Sequence, residues 1–512
     1  MSAKVTRRTL IQVAAVAAGA AAVGAAGCAE QARRQAGPCT TTGPWAAAGP
    51  PRRAKVRIAK VYAGRPNGSW PAAAVDIPAE RQRFEAAIAS LAPQLADIEF
   101  IDVGVVSDST QVAAACEKCK AADGILVLQL SMGIGGLLAA LLELDRPTVL
   151  FAETYCGHEW HTVAGLQRAG KRLDCYPTSR LEDIAEAVRP LRAIGRLRTA
   201  KALHVSTREA APAYVKAIRE KFGTEIKSLL LPDLEAAYKG VPDAAALAEA
   251  HDWTAGAEKI VEPTADDILK AARMSLALKT LVEAEHADAI TINCLGMGLI
   301  SRDMGYPCLG FVRLNNCGRG GICEADLKST MTHMLFSFLV GRPGFVTDPC
   351  FDYATNTILH AHCVGATRME GPDGPAAPYI IRSHLEDNRG AVLQVKMRFG
   401  GPVTMARLIG DEALLFSTGQ SVGSPLVDRG CRTKLAVRVE RPEKFLEGWS
   451  CGLHRVVFYG DHTRDVERFC RLMKIRLLHE GADDLRDAAG LEWGTNVHAS
   501  AGGCCCHGPH LA

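Results

Sequence analysis

Apolar and polar positions follow two regimes along this chain, and the change falls near residue 341. Before it, short apolar runs alternate with stretches of helical period. Residues 55–62, Lys-Val-Arg-Ile-Ala-Lys-Val-Tyr, alternate as a strand. Residues 80–95 have a helical pattern, and 98–103 read as the next strand. A helix around 110–122 leads into the uniformly apolar strand 124–130. Gly133-Ile-Gly-Gly136 then opens an apolar helix, and 148–152 is a further strand. The pattern continues with strands at 197–205 and 225–231, a long amphipathic helix at 266–285, and a buried strand at 287–294. Strands that alternate with helices predict parallel, doubly wound sheets.

Beyond 341 the segments 357–363, 391–399, 403–408, 412–417 and 435–439 are short strands separated by Gly and Pro turns. Such a run predicts an antiparallel, barrel-like module. It ends with an apolar strand at 454–460 and a helix from 463 to 473. The expected fold is therefore α/β: two doubly wound, Rossmann-like domains at 54–165 and 166–340, then a β-rich domain at 341–482. The remaining segments are a leader at 1–28, a flexible linker at 29–53 and a disordered tail at 483–512.

Composition is that of an ordinary globular chain, 48% hydrophobic and 22% charged over 512 residues. The formal charge is +3, and Lys4, Arg7 and Arg8 account for it, so nothing points to a nucleic-acid partner. Thr6-Arg-Arg-Thr-Leu-Ile11 before an Ala/Gly-rich apolar run has the form of a twin-arginine export signal. Ala25-Ala-Gly-Cys28 is a candidate lipoprotein site, with Cys28 as the lipidated residue and a possible membrane tether. The expected location is periplasmic, or anchored outside the cytoplasmic membrane. Of 18 cysteines, Cys294, Cys308, Cys323 and Cys363 lie in or beside apolar segments, which predicts free core thiols rather than a disulfide framework.

Two glycine- and histidine-bearing stretches have a weaker claim to chemistry. Gly133-Ile-Gly-Gly136 lacks the spacing of a dinucleotide fingerprint and reads as a tight turn. Gly157-His-Glu-Trp-His161 is one residue short of a zinc-protease helix, so the paired-ligand geometry is missing.

Glu324 in Gly320-Gly-Ile-Cys-Glu-Ala-Asp326, Asp348 in Gly341-Arg-Pro-Gly-Phe-Val-Thr-Asp348, and His454 in Cys451-Gly-Leu-His454 each sit where an apolar segment meets a turn. Two carboxylates and an imidazole make an oxygen-rich site that suits Mn²⁺ or Mg²⁺ better than a closed N/S tetrahedron suited to zinc. His360 and His362, two apart on a strand, share a face and are further pocket candidates.

Through these residues the chain resembles the L-fucose isomerase family, with more distant kinship to L-arabinose isomerase. The likeness spans roughly 55–480 and is carried by Cys323-Glu-Ala-Asp-Leu327, by Asp348 at 24 residues after Glu324, and by His454 ahead of a strand–Gly460–helix unit. It implies a metal-dependent aldose–ketose isomerase acting on a monosaccharide through a cis-enediol. Glu324 and Asp348 would be ligands and proton carriers, and His454 a ligand. It also implies a homo-oligomer, a trimer or hexamer, in which Arg65 contacts the sugar across a subunit boundary. Leu453 stands where a polar group is expected, and Trp449 and Ser450 are the candidate substitutes. The alternatives are a non-catalytic exported sugar-binding protein on the same fold, or a dehydration or epimerisation sharing the enediol.

Overall fold

The computed structural model describes Trp45 and residues 54–67, 70–447, 449–483 and 485. The leader, Cys28 and most of the tail lie outside the described residues. No described helix is long and apolar enough to cross a membrane.

The first sheet has five parallel strands, β1 (Val56–Ala63), β2 (Ile98–Val106), β3 (Gly124–Gln129), β4 (Thr148–Glu153) and β5 (Leu173–Thr178), in the order β2-β1-β3-β4-β5. β1 reads as alternating, yet every residue after Arg57 is buried. Helices cover both faces of a parallel sheet, so even the polar positions go inside. Ile58, Tyr62 and Leu126 pack with Phe84 and Ile88 on one side. Val61, Ile125 and Val127 pack with Leu137, Leu138 and Leu141 on the other. Each such large side chain contributes about 1.5–3 kcal/mol on burial. The turn at Gly133 is held from within: the N–H groups of Gly133 and Ile134 both donate to Glu159 Oε1 at 2.8 Å. Glu159 belongs to the stretch that superficially resembles a protease motif, and its carboxylate serves the helix start instead.

A second parallel sheet follows, with β6 (Lys201–Ser206), β7 (Glu225–Leu230), β9 (Ala289–Ile292) and β10 (Gly320–Cys323) in the order β10-β9-β6-β7. Leu197, expected to open a strand, is the last buried position of helix Arg189–Thr199. Its apolar character suits either element, so the boundary falls later than the pattern suggests. The long helix Ala265–Ala284 starts with a reciprocal cap between Thr264 and Asp267. Trp45 is buried in this unit's core beside Leu203 and Val205.

The remaining strands are β8 (Lys259–Ile260), β11 (Phe345–Asp352), β12 (Thr357–His362), β13 (Tyr379–Arg382), β14 (Val392–Val395), β15 (Pro402–Ile409), β16 (Ala413–Gly423), β17 (Thr433–Arg438), β18 (Arg455–Tyr459) and β19 (Arg476–His479). β15, β18, β11, β12, β17 and β16 close into a six-stranded antiparallel barrel, because β15 and β16 also pair. β19 extends the barrel on β16, while β8, β13 and β14 form a small separate sheet.

Two helices lock the barrel to the parallel sheets. Leu327–Val340 runs directly from β10 to the barrel, and Met331, Met334, Leu335 and Phe336 are buried in the same core as Val456 and Phe458. Thr463–Met473 returns to the first sheet, where Arg468 Nε donates to the buried Asp174 at 2.6 Å. Twelve described cysteines, among them Cys294, Cys308, Cys323 and Cys363, are free thiols, and Cys317 is disulfide-bonded.

Candidate metal centre

Glu324 leaves the end of β10 in the left-handed region, with φ +63°, and Ala325 follows at φ +53°. Two successive non-glycine residues in that region cost about 1–3 kcal/mol each. The turn they make takes the carboxylate off the strand and toward the barrel. Asp326 comes next and caps helix Leu327–Val340 by accepting from the N–H groups of Lys328 and Ser329. β11 pairs with β18 through Thr347 and Arg455, so their neighbours Asp348 and His454 lie side by side. β12 pairs with β11 from the other side, with Asp348 opposite Ala361, which brings in His362.

The result is a group of four, Glu324, Asp348, His362 and His454, whose candidate ligand atoms all lie within 4.8 Å of one another. His454 Nε2 is 3.3 Å from both Glu324 Oε2 and Asp348 Oδ1. His362 Nε2 is 3.6 Å from Glu324 Oε1 and 3.9 Å from Asp348 Oδ2. These separations allow charge attraction but are long for hydrogen bonds. Asp348 Oδ1, His362 Nε2 and His454 Nε2 are accordingly buried without a hydrogen-bond partner among the described residues. A cluster of carboxylates and imidazoles that converges with unpaired atoms on Asp348, His362 and His454 could hold a cation. The charge agrees: with neutral imidazoles, the two carboxylates leave a deficit that a divalent ion matches.

The surroundings hold the imidazoles in place. His454 Nδ1 faces Asp326 Oδ2 at 2.8 Å. The same oxygen accepts from Arg407 Nη1 at 2.8 Å. Arg407 also donates to the carbonyl oxygens of Cys451 and His454. The motif glycine is required by this arrangement. Gly452 has φ +116°, and a Cβ there would stand 2.7 Å from Arg407 Nε.

Burial opposes charge on each group, yet the partners prevail. The imidazoles of His362 and His454 hold the Glu324 carboxyl well below its usual range. Arg407 and His454 do the same for Asp326. His454 is raised well above its ordinary 6.5 by the Asp326, Asp348 and Glu324 carboxylates, against the effect of burial. The carboxylates pull His362 upward as well. A second proton on that ring has no place on Nδ1, however, because the Cys363 N–H points at it from 2.9 Å.

Glu324, Asp348 and His454 thus come together as the sequence suggests, and His362 joins them. His360 does not. It lies inside the barrel, fully buried, with Nδ1 2.8 Å from Thr347 Oγ1. Burial lowers it to about 3. Trp449 stacks on the Arg455 guanidinium at 3.8 Å and donates its N–H to Leu453 O. Ser450 falls in the turn Trp449–Cys451, and its side chain lies outside the described residues. Arg65 lines a crevice of about 250 Å³ at the ends of β1 and β2, beside the turn at Gly133, and no member of the cluster lines it.

Sequence reading missed Arg407, and also His384. The His384 ring packs on Tyr306 at 4.7 Å, and it is close enough to the cluster for Glu324 and His362 to act on its charge. Tyr306 in turn donates to Asp387 at 2.6 Å. No spacing rule links 306, 384 and 387 to the motifs around 324 and 454, so nothing in the pattern could have grouped them.

No family model matches the chain, and no curated protein is significantly similar to it.

Proposed function

We propose that the cluster holds a hard divalent cation, Mn²⁺ or Mg²⁺, and that the protein is a metal-dependent aldose–ketose isomerase of a monosaccharide. The observation that carries this reading is the convergence of Glu324, Asp348 and the unpaired His454 Nε2 on one buried point. The donor set fits: carboxylate oxygens suit a hard ion, and His454 has the carboxylate-backed Nδ1 usual for a ligating imidazole. The resemblance of the three motifs to L-fucose isomerases supplies the reaction class. Bound there, the ion would polarise the sugar carbonyl and acidify the adjacent C–H.

The chain's own groups then move the protons. One carboxylate of the Glu324–Asp348 pair takes the proton from C2 and returns it to C1 through a cis-enediol. The other carries the hydroxyl proton. Groups acting in this way typically contribute about 10²–10⁴-fold. His454 holds position between Asp326 and the cluster. In a homo-oligomer, a trimer or hexamer, Arg65 would contact the sugar held by a neighbouring copy. Export by the twin-arginine leader would place the reaction outside the cytoplasmic membrane.

The test is exchange in D₂O with Mn²⁺ over a panel of aldoses. Isomerisation should label C1 or C2, and Glu324→Gln and Asp348→Asn should each abolish it. A metal-loaded protein that binds a sugar yet exchanges no proton would instead be a sugar-binding protein on this fold.

A further inference from the structure

The two imidazoles of the cluster present the same nitrogen to the carboxylates, but their outer nitrogens are held in opposite ways. At His454 the outer nitrogen, Nδ1, faces the Asp326 carboxylate at 2.8 Å. An ionised carboxylate only accepts, so Nδ1 carries the proton and Nε2 offers its lone pair inward. At His362 the contact is reversed. The backbone N–H of Cys363 donates to Nδ1 at 2.9 Å. A nitrogen that accepts a hydrogen bond bears no proton, so the proton of neutral His362 sits on Nε2.

We propose that His362 is not a metal ligand but a hydrogen-bond donor, whose Nε2–H is aimed at a ligand oxygen held over the Glu324–Asp348–His454 triad. Ligation through Nε2 with Nδ1 still accepting from Cys363 would demand an imidazolate. His362 Nε2 also stands back from the carboxylates. It is 3.6 and 3.9 Å away, against 3.3 Å for both contacts of His454. It is buried and has no hydrogen-bond partner among the described residues, so it is a donor still available to an incoming oxygen. The ring is held by β12, whose register with β11 is continuous from Asp348 to Asp352. A carbonyl oxygen that gains negative charge as a proton leaves the adjacent carbon is the ligand such a donor serves best. The substrate half of the proposal rests on the isomerase reading; the ligand count does not.

Mn²⁺ itself is the probe for the ligand count. Pulsed electron paramagnetic resonance of the Mn²⁺-loaded wild type should show ¹⁴N coupling from one imidazole. His454→Gln should remove that coupling and weaken Mn²⁺ at least about 100-fold, whereas His362→Gln should keep both coupling and affinity within about threefold. Two coupled imidazoles in the wild type would overturn the proposal without recourse to any variant. So would a loss of Mn²⁺ affinity in a folded His362→Gln to match that of His454→Gln. With a sugar that turns over, His362→Gln should lower kcat about 10²–10³-fold with Mn²⁺ still bound. Unchanged kcat would overturn the donor role. If no aldose exchanges protons with the wild type, the isomerase reading falls, and the nitrogen count still decides which histidine ligates.

Discussion

Asp326 Oδ2 lies 2.8 Å from His454 Nδ1, and one side chain thereby joins a helix cap to an imidazole 128 residues away. Its other oxygen caps helix Leu327–Val340. Asp326→Asn separates the two roles, because the amide oxygen can keep the cap while the amide nitrogen faces His454 and Arg407. A donor there opposes the Nδ1–H tautomer. We expect Mn²⁺ affinity to fall about 10–100-fold, with helix content unchanged by circular dichroism. Wild-type affinity in this variant would mean that His454 needs no such partner.

Metal should also register as stability. An ion that binds only the folded chain adds about 2.7 kcal/mol when its free concentration is 100 times its Kd. Thermal unfolding should therefore move upward with Mn²⁺ in the wild type and stay in place in Asp348→Asn. Equal shifts in both proteins would locate the ion elsewhere.

The parts of this molecule legible in the sequence are those whose signal is local. Helix Thr463–Met473 is read to the residue, because Val466, Phe469, Cys470 and Met473 recur at helical spacing. β11 is not legible: Gly341, Pro343 and Pro349 make its segment look like a turn, and its pairing with β12 and β18 decides otherwise. β5 is hidden by Asp174, a buried carboxylate that is tolerable because Arg468 and Arg471 meet it from 294 and 297 residues on. The same limit applies to the site. Spacing puts His360 and His362 on one strand face, but it cannot say which of them reaches the cluster and which remains in the barrel beside Thr347. Depth within a closed barrel is a property of the whole ring of strands.

The joint between β8 and β13 carries a pH signature. Glu262 accepts from Arg382 Nε at 2.9 Å and from Arg382 Nη2 at 2.6 Å. These bonds, with smaller help from the Ser383 N–H and Arg432, lower its carboxyl to about 2. A folded value below the unfolded one stabilises above the unfolded pKa, and the contribution is lost as pH falls toward the folded pKa. Glu262→Gln should thus be less stable than wild type at pH 7. The gap between their urea midpoints should narrow below about pH 4.5 and close near pH 2. A gap independent of pH would show that the carboxylate's charge is not what holds this joint.

Gly452 offers a way to disturb the candidate metal site without touching a proposed ligand. An alanine there must adopt φ +116° and place its Cβ 2.7 Å from Arg407 Nε. Either the loop or the guanidinium has to move, and backbone strain of this kind costs about 1–3 kcal/mol. Arg407 donates to the same Asp326 oxygen that faces His454, so its displacement loosens the Asp326–His454 contact. Gly452→Ala should therefore weaken Mn²⁺ binding in the same direction as Asp326→Asn. The double variant should lose less than the sum of the two, since both act on one contact. Full additivity in a double-mutant cycle of Mn²⁺ affinities would show that the glycine serves the loop alone.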